Sequence, residues 1–111
     1  MKSRRVIVID PKEKSITEAS VKNLADMQAI VGGRIERALT LPTGDEIYVN
    51  EEGLFTDALY AFRVPGLETG TYFGKAYVIG GVTNSGDNFP CELTTDFVSR
   101  NIQFLGKVVV E

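Results

Sequence analysis

Acid–base chemistry in this chain has to rest on carboxylates, because the 111 residues contain no histidine and one cysteine, Cys91. Without histidine there is no usual general base near neutral pH and no Ser-His or Cys-His nucleophile arrangement. One cysteine alone gives zinc nothing to build on, so neither a metal nor another cofactor is expected. Glu51, Glu52 and Asp57 lie close together in sequence, and a paired set of carboxyls raises the pKa of one member. Neighbouring carboxylates in a turn usually face water, however, and no catalytic residue is nominated there. Asp45 and Glu46 read as parts of a hairpin turn and are weaker still. Cys91, beside Pro90 and without a basic neighbour, reads as an idle thiol.

A second group suits binding better than catalysis. Gly32 and Gly33 end the run "LADMQAIVGG", and backbone amides at a glycine corner can hold an anion. Asn50 and Glu51 close the following hairpin. Arg63, in "YAFRVPG", is the one basic residue between Arg37 and Lys75. An Arg in that apolar setting is normally paired. It reads either as an ion pair with Glu51 or Glu52, or as the contact to an anionic ligand. Gly32, Gly33, Asn50, Glu51 and Arg63 are thus the candidate ligand-binding residues. The Gly-rich "GGVTNSGD", Gly80 to Asp87, fits neither the phosphate-loop nor the dinucleotide pattern and reads as a surface loop.

These residues need elements to position them. "RRVIVID", Arg4 to Asp10, is rich in β-branched residues and ends at Pro11, and "SITEASV" returns as an edge strand. Asn23 is a helix cap; Leu24, Met27, Ile30 and Val31 form the apolar stripe of a short helix. Gly32 stops that helix, since a left-handed C′ residue costs glycine little, and Gly33 turns the chain. Arg34–Leu41 and Ile47–Asn50 read as a hairpin about Pro42 and Gly44. Leu54–Val64 has a mixed period. Thr71–Ile79 reads as one strand, central because little of it suits water. Thr94 caps a second helix that buries Phe97, Val98, Ile102 and Leu105 and ends at Gly106. "KVVV" is a last short strand or a frayed tail. The order predicts a single α+β domain over 1–111, a mainly antiparallel sheet with two short helices packed on one face.

Composition agrees with one ordinary folded domain: 43% hydrophobic, 24% charged, 4 Pro. The net charge is −3, with no basic stripe, so nucleic acid is not expected as the main ligand. Residues 38–111 hold ten acidic side chains against four basic ones. This suits a solvated acidic hairpin or a docking face for a basic partner. The lone cysteine and the absence of a long apolar run lead to the expectation of a cytoplasmic protein without membrane attachment.

"NLADMQAIVGGRIE" followed by "IYVNEEG" resembles the family known as domain of unknown function 3846, small proteins of phages, plasmids and bacterial mobile regions. Gln28, Val31, Gly32, Gly33, Asn50, Glu51 and Gly53 match its motifs. Arg63 falls at its Asn-Arg pair, with Phe62 in the Asn position, and "ELTTDFVSRNIQFL" is similar to its closing helix. The resemblance spans Arg4 to Leu105. It implies a fold and a genomic setting, with no activity attached.

Two functions follow as expectations. The preferred one is a non-catalytic binding or interaction protein, phage- or mobile-element-encoded, that modulates a host protein. Its support is the missing chemistry, the acidic hairpin and an unanchored loop at 80–92. The alternative is a protein that binds, sequesters or hydrolyses a small anionic ligand at the Gly32–Gly33 corner. Pairing of the N-terminal edge strand with its own copy stays open, since nothing in its sequence blocks it.

Overall fold

The computed structural model describes residues 3–52, 60–67 and 70–107. The β-branched N-terminal run forms β1 (Arg4–Asp10), which returns as β2 (Ser15–Val21) through an unbroken antiparallel register from Arg4↔Val21 to Asp10↔Ser15. Helix α1 (Leu24–Val31) follows, then the hairpin of β3 (Ile35–Thr40) and β4 (Glu46–Asn50). Next come β5 (Tyr60–Arg63), β6 (Tyr72–Phe73), β7 (Ala76–Ile79), α2 (Thr95–Asn101) and β8 (Gln103–Lys107).

The strands make two antiparallel sheets, one ordered β2-β1-β7-β4-β3 and the other β6-β5-β8. The α+β class and the antiparallel pairing are as expected; the second sheet is an addition. The run 71–79 is two strands in different sheets, split where Gly74 takes φ +79, a conformation open to glycine at little cost. β7 is the central strand of the larger sheet, and all four of its residues are buried.

Alternation along β7 sorts its side chains between two cores. Ala76 and Val78 join Ile7, Ile9, Ile47, Val49 and Phe62 on one side. Tyr77 and Ile79 join Val6 and Val21 on the other. Val31 of α1 belongs to the second core and Val98 of α2 to the first. The helices therefore lie on opposite faces of the larger sheet, where both had been expected on one. The reason is the small sheet: Phe62 and its neighbours Tyr72 and Phe104 share the α2 face and fill the space beside it.

Helix ends differ from expectation only in α2. Thr94 caps it, with Oγ1 accepting from the Phe97 N–H at 3.0 Å, but the helix stops at Asn101 rather than at Gly106. Residues 103–107 instead pair with β5. Gly106, at φ +73, sits at a bulge where Ala61 faces Gly106 and Phe62 faces Phe104. That leaves Leu105 as the extra residue, partly exposed rather than buried. Phe97 and Leu24, both expected inside, are 41% and 55% exposed. Asp57, Gly53 and the tail 108–111 lie outside the described residues.

Candidate functional site

The glycine corner forms as the sequence predicts. Asn23 Oδ1 accepts from the Asp26 N–H at 2.9 Å, and Asp26 Oδ2 accepts in return from the Lys22 N–H at 2.7 Å. At the far end Gly32 is left-handed, φ +81. The amides of Gly32 and Gly33 both donate to the Gln28 carbonyl, at 2.8 and 3.1 Å. Asn50 then closes the corner. Its Nδ2 donates to the Val31 carbonyl at 3.0 Å, its Oδ1 accepts from the Glu52 N–H at 2.7 Å, and the Glu51 N–H donates to the Arg34 carbonyl at 2.8 Å. A Cβ on Gly33 would stand 2.9 Å from Asn50 Nδ2, so the missing side chain makes room for that amide.

Gly32, Gly33, Asn50 and Glu51 are therefore brought together, while Arg63 stands exposed on β5 in the other sheet. Among the described residues Arg63 makes no ion pair, with Glu51 or Glu52 or any other carboxylate. Both corner amides are engaged within the cap, and a helix C-terminus carries the negative end of its dipole. Gly32 and Asn50 also line a wide cleft with Lys12, Lys75 and Asp10; Lys75 Nζ lies 3.8 Å from Asp10 Oδ2.

A buried polar network, which sequence reasoning missed, occupies the α1 face. Glu46 is the first residue of β4 and only 4% exposed, not a turn residue. Arg37 Nη1 donates to its Oε2 at 3.1 Å, and Tyr48 Oη and Asn88 Nδ2 donate to its Oε1 at 2.9 and 3.2 Å. Asn88 Nδ2 also donates to the Gly80 carbonyl at 2.8 Å. Arg4, 9% exposed, is paired with Asp87. The loop at 80–92, expected to be unanchored, is thus tied to β1 and β4, and its backbone closes through a Val82↔Asn88 bridge. Tyr48 stacks on Tyr77, ring centres 5.4 Å apart at 11°. Burial, then the Glu46 acceptor, raises the Tyr48 pKa above its ordinary value, and burial raises that of Tyr77 too. The signal in sequence was parity: Glu46, Tyr48 and Asn50 share one side of an alternating strand.

The opposite face holds an apolar cleft of about 210 Å³ between the β3–β4 turn, the segment after β5, and α2. Leu41, Ile47, Val64, Leu67, Phe97 and Ile102 are among its lining, which contains no ionisable side chain. Four separated parts of the chain build it, Val78 of β7 included, so no local pattern announces it. A cavity of about 150 Å³ with aliphatic walls holds one benzene ring, so this cleft has room for one large apolar group. Cys91 is buried and its thiol pKa raised, first by burial. Among the described residues no three His, Cys, Asp or Glu side chains are grouped to hold a metal ion, and no helix is long and apolar enough to cross a membrane.

No curated protein and no solved structure matches this chain. The family model described as Domain of unknown function (DUF3846) matches residues 1–106, from the first strand through the bulge at Gly106. The match takes in the capped helix, the glycine corner, the buried network and the apolar cleft together, and the chain is a member of the DUF3846 family.

Proposed function

We propose that this protein is a non-catalytic interaction module that seats an apolar side chain of a partner polypeptide in the cleft beside α2. The observation behind this reading is the cleft's lining, apolar and without an ionisable group. Such a lining supplies no acid, base or nucleophile, and apolar contact is what it offers. Phe97, 41% exposed on α2 at the cleft, gives a partner further apolar surface. An anchor side chain in a pocket, surrounded by weaker contacts, is the usual energetic centre of a protein interface. The partner is a host protein that a phage or mobile element modulates from within the cytoplasm; the family resemblance supports that setting.

Photo-crosslinking from position 97 in cells tests the reading. One discrete polypeptide should be captured there, and not from Lys14 in the β1–β2 turn. Leu67→Trp, which fills the cleft, should reduce capture at least about tenfold, since losing one buried anchor costs more than 1.4 kcal/mol. Equal capture from both positions, or a small anionic molecule retained in the native mass of the purified protein, would overturn it.

A further inference from the structure

We propose that β2 pairs antiparallel with β2 of a second copy of this chain, joining two five-stranded sheets into one ten-stranded sheet. Among the described residues the two sheets have four edge strands: β2, β3, β6 and β8. Three of them carry the features that blunt an edge. β3 has a register shift between Arg37 and Leu39 and bears Glu36 and Arg37. β6 is only two residues long. β8 is bulged at Gly106 and ends at Lys107.

β2 is neither bulged nor cut short, and its single charge is Glu18. Its seven residues pair with β1 in an unbroken register, without proline or bulge. Thr17 on one face and Glu18 and Ser20 on the other are exposed, so the middle of the strand is uncovered on both faces. Among the described residues no hydrogen bond other than the β1 ladder reaches the backbone of Ser15–Val21. Alternate residues of an edge strand direct both N–H and C=O outward, and such a row is a template for another strand.

A second copy is the occupant because β2 has little with which to choose a foreign sequence. Its one ionised side chain, Glu18, is already bonded to Arg5 Nη2 at 2.6 Å, and its other residues are Ser, Ile, Thr, Ala, Ser and Val. Recognition then rests on the backbone and on matching faces, which an identical strand supplies. A two-fold axis through Ala19 sets Glu18 opposite the second copy's Ser20 and Thr17 opposite its Val21. The register centred on Glu18 is disfavoured, because it puts like charges directly across from each other.

Native mass spectrometry and hydrogen exchange across a dilution series test this. The protein should be a dimer at high concentration, with alternate β2 amides protected in the dimer and released on dilution. Ser20→Glu faces Arg5 within its own chain, so it leaves the monomer folded, yet it meets Glu18 of the second copy twice across the axis. It should weaken the dimer roughly tenfold. Thr17→Lys, on the other face, is the second variant and should also weaken it. A chain that stays monomeric at every concentration overturns the proposal. So does a dimer whose β2 amides exchange freely and which both variants leave intact, or protection of β2 only when a different polypeptide is added.

Discussion

The two sides of β4 are unlike, and the difference separates a polar network bonded within the chain from an apolar surface left partly open. Glu46, Tyr48 and Asn50 point toward the α1 face, and each has its polar atoms bonded to partners within the chain. Ile47 and Val49, between them, point to the face of α2 and the small sheet, and Ile47 reaches the wall of the open cleft. The polar side is closed around Glu46, since a buried polar group without a partner costs free energy; among the described residues only Arg4 Nη1 is buried there without a partner. The apolar side is only partly closed, and apolar surface left open at a cleft favours an occupant. The side richer in charge is thus structural, and the proposed interaction uses the chemically plain side.

The largest break in that comparison comes from removing the carboxylate. Glu46→Ala leaves the Tyr48 hydroxyl and one Asn88 bond without their acceptor and frees the loop at 80–92 from β4. Breaking a buried pair by deleting one member costs 3–5 kcal/mol, and Arg37, being largely exposed, recovers part of this in water. We expect a loss of about 3 kcal/mol in urea unfolding. Ile47→Val, one residue along on the other side, should cost about 1 kcal/mol. Equal losses at 46 and 47 would show the network to be no more than packing.

The parts of the molecule that sequence made legible are those set by neighbours. Asn23 and Gly32 mark both ends of α1 because a cap is satisfied within one turn of chain. The β1–β2 and β3–β4 hairpins follow from alternation broken by turn residues. Gly32, Gly33, Asn50 and Glu51 gather because they belong to adjoining elements. What stayed hidden depends on distant partners. Glu46 is buried by Asn88, 42 positions away, and Arg4 meets Asp87 across 83. α2 ends at Asn101 because β5 claims the next residues, a competition that no helical pattern records. Gly74 reads like any glycine in a strand, although it moves the chain from one sheet to the other.

A smaller effect is expected at the corner. Gly33→Ala places its Cβ 2.9 Å from Asn50 Nδ2, closer than unbonded atoms tolerate. The obstacle is the end of a side chain, so Asn50 swings aside and gives up its bond to the Val31 carbonyl. The expected loss is about 2 kcal/mol, from that bond and its stranded partners. An Asn50→Ala, Gly33→Ala pair should cost well short of the sum of the single changes, because the clash has nothing left to displace. Additive losses would mean that the two residues act separately.

The smallest effect sharpens the comparison by pH. Tyr48 and Tyr77 have pKa values above the ordinary value of 10.0, chiefly through burial. A hydroxyl that holds its proton more tightly folded than unfolded leaves stability unchanged while both states stay protonated, that is, below about pH 9. Above about pH 10 the unfolded chain releases protons that the folded chain keeps, and stability falls as pH rises. Tyr48→Phe should cost about 1 kcal/mol at neutral pH, through the lost bond to Glu46. It should also make the alkaline fall shallower, while Tyr77 keeps the rest of it. No such residue lines the apolar cleft, so occupancy there should follow this curve only through unfolding. Crosslinking from position 97 that declined with pH while the fold persisted would tie the two sides of β4 together after all.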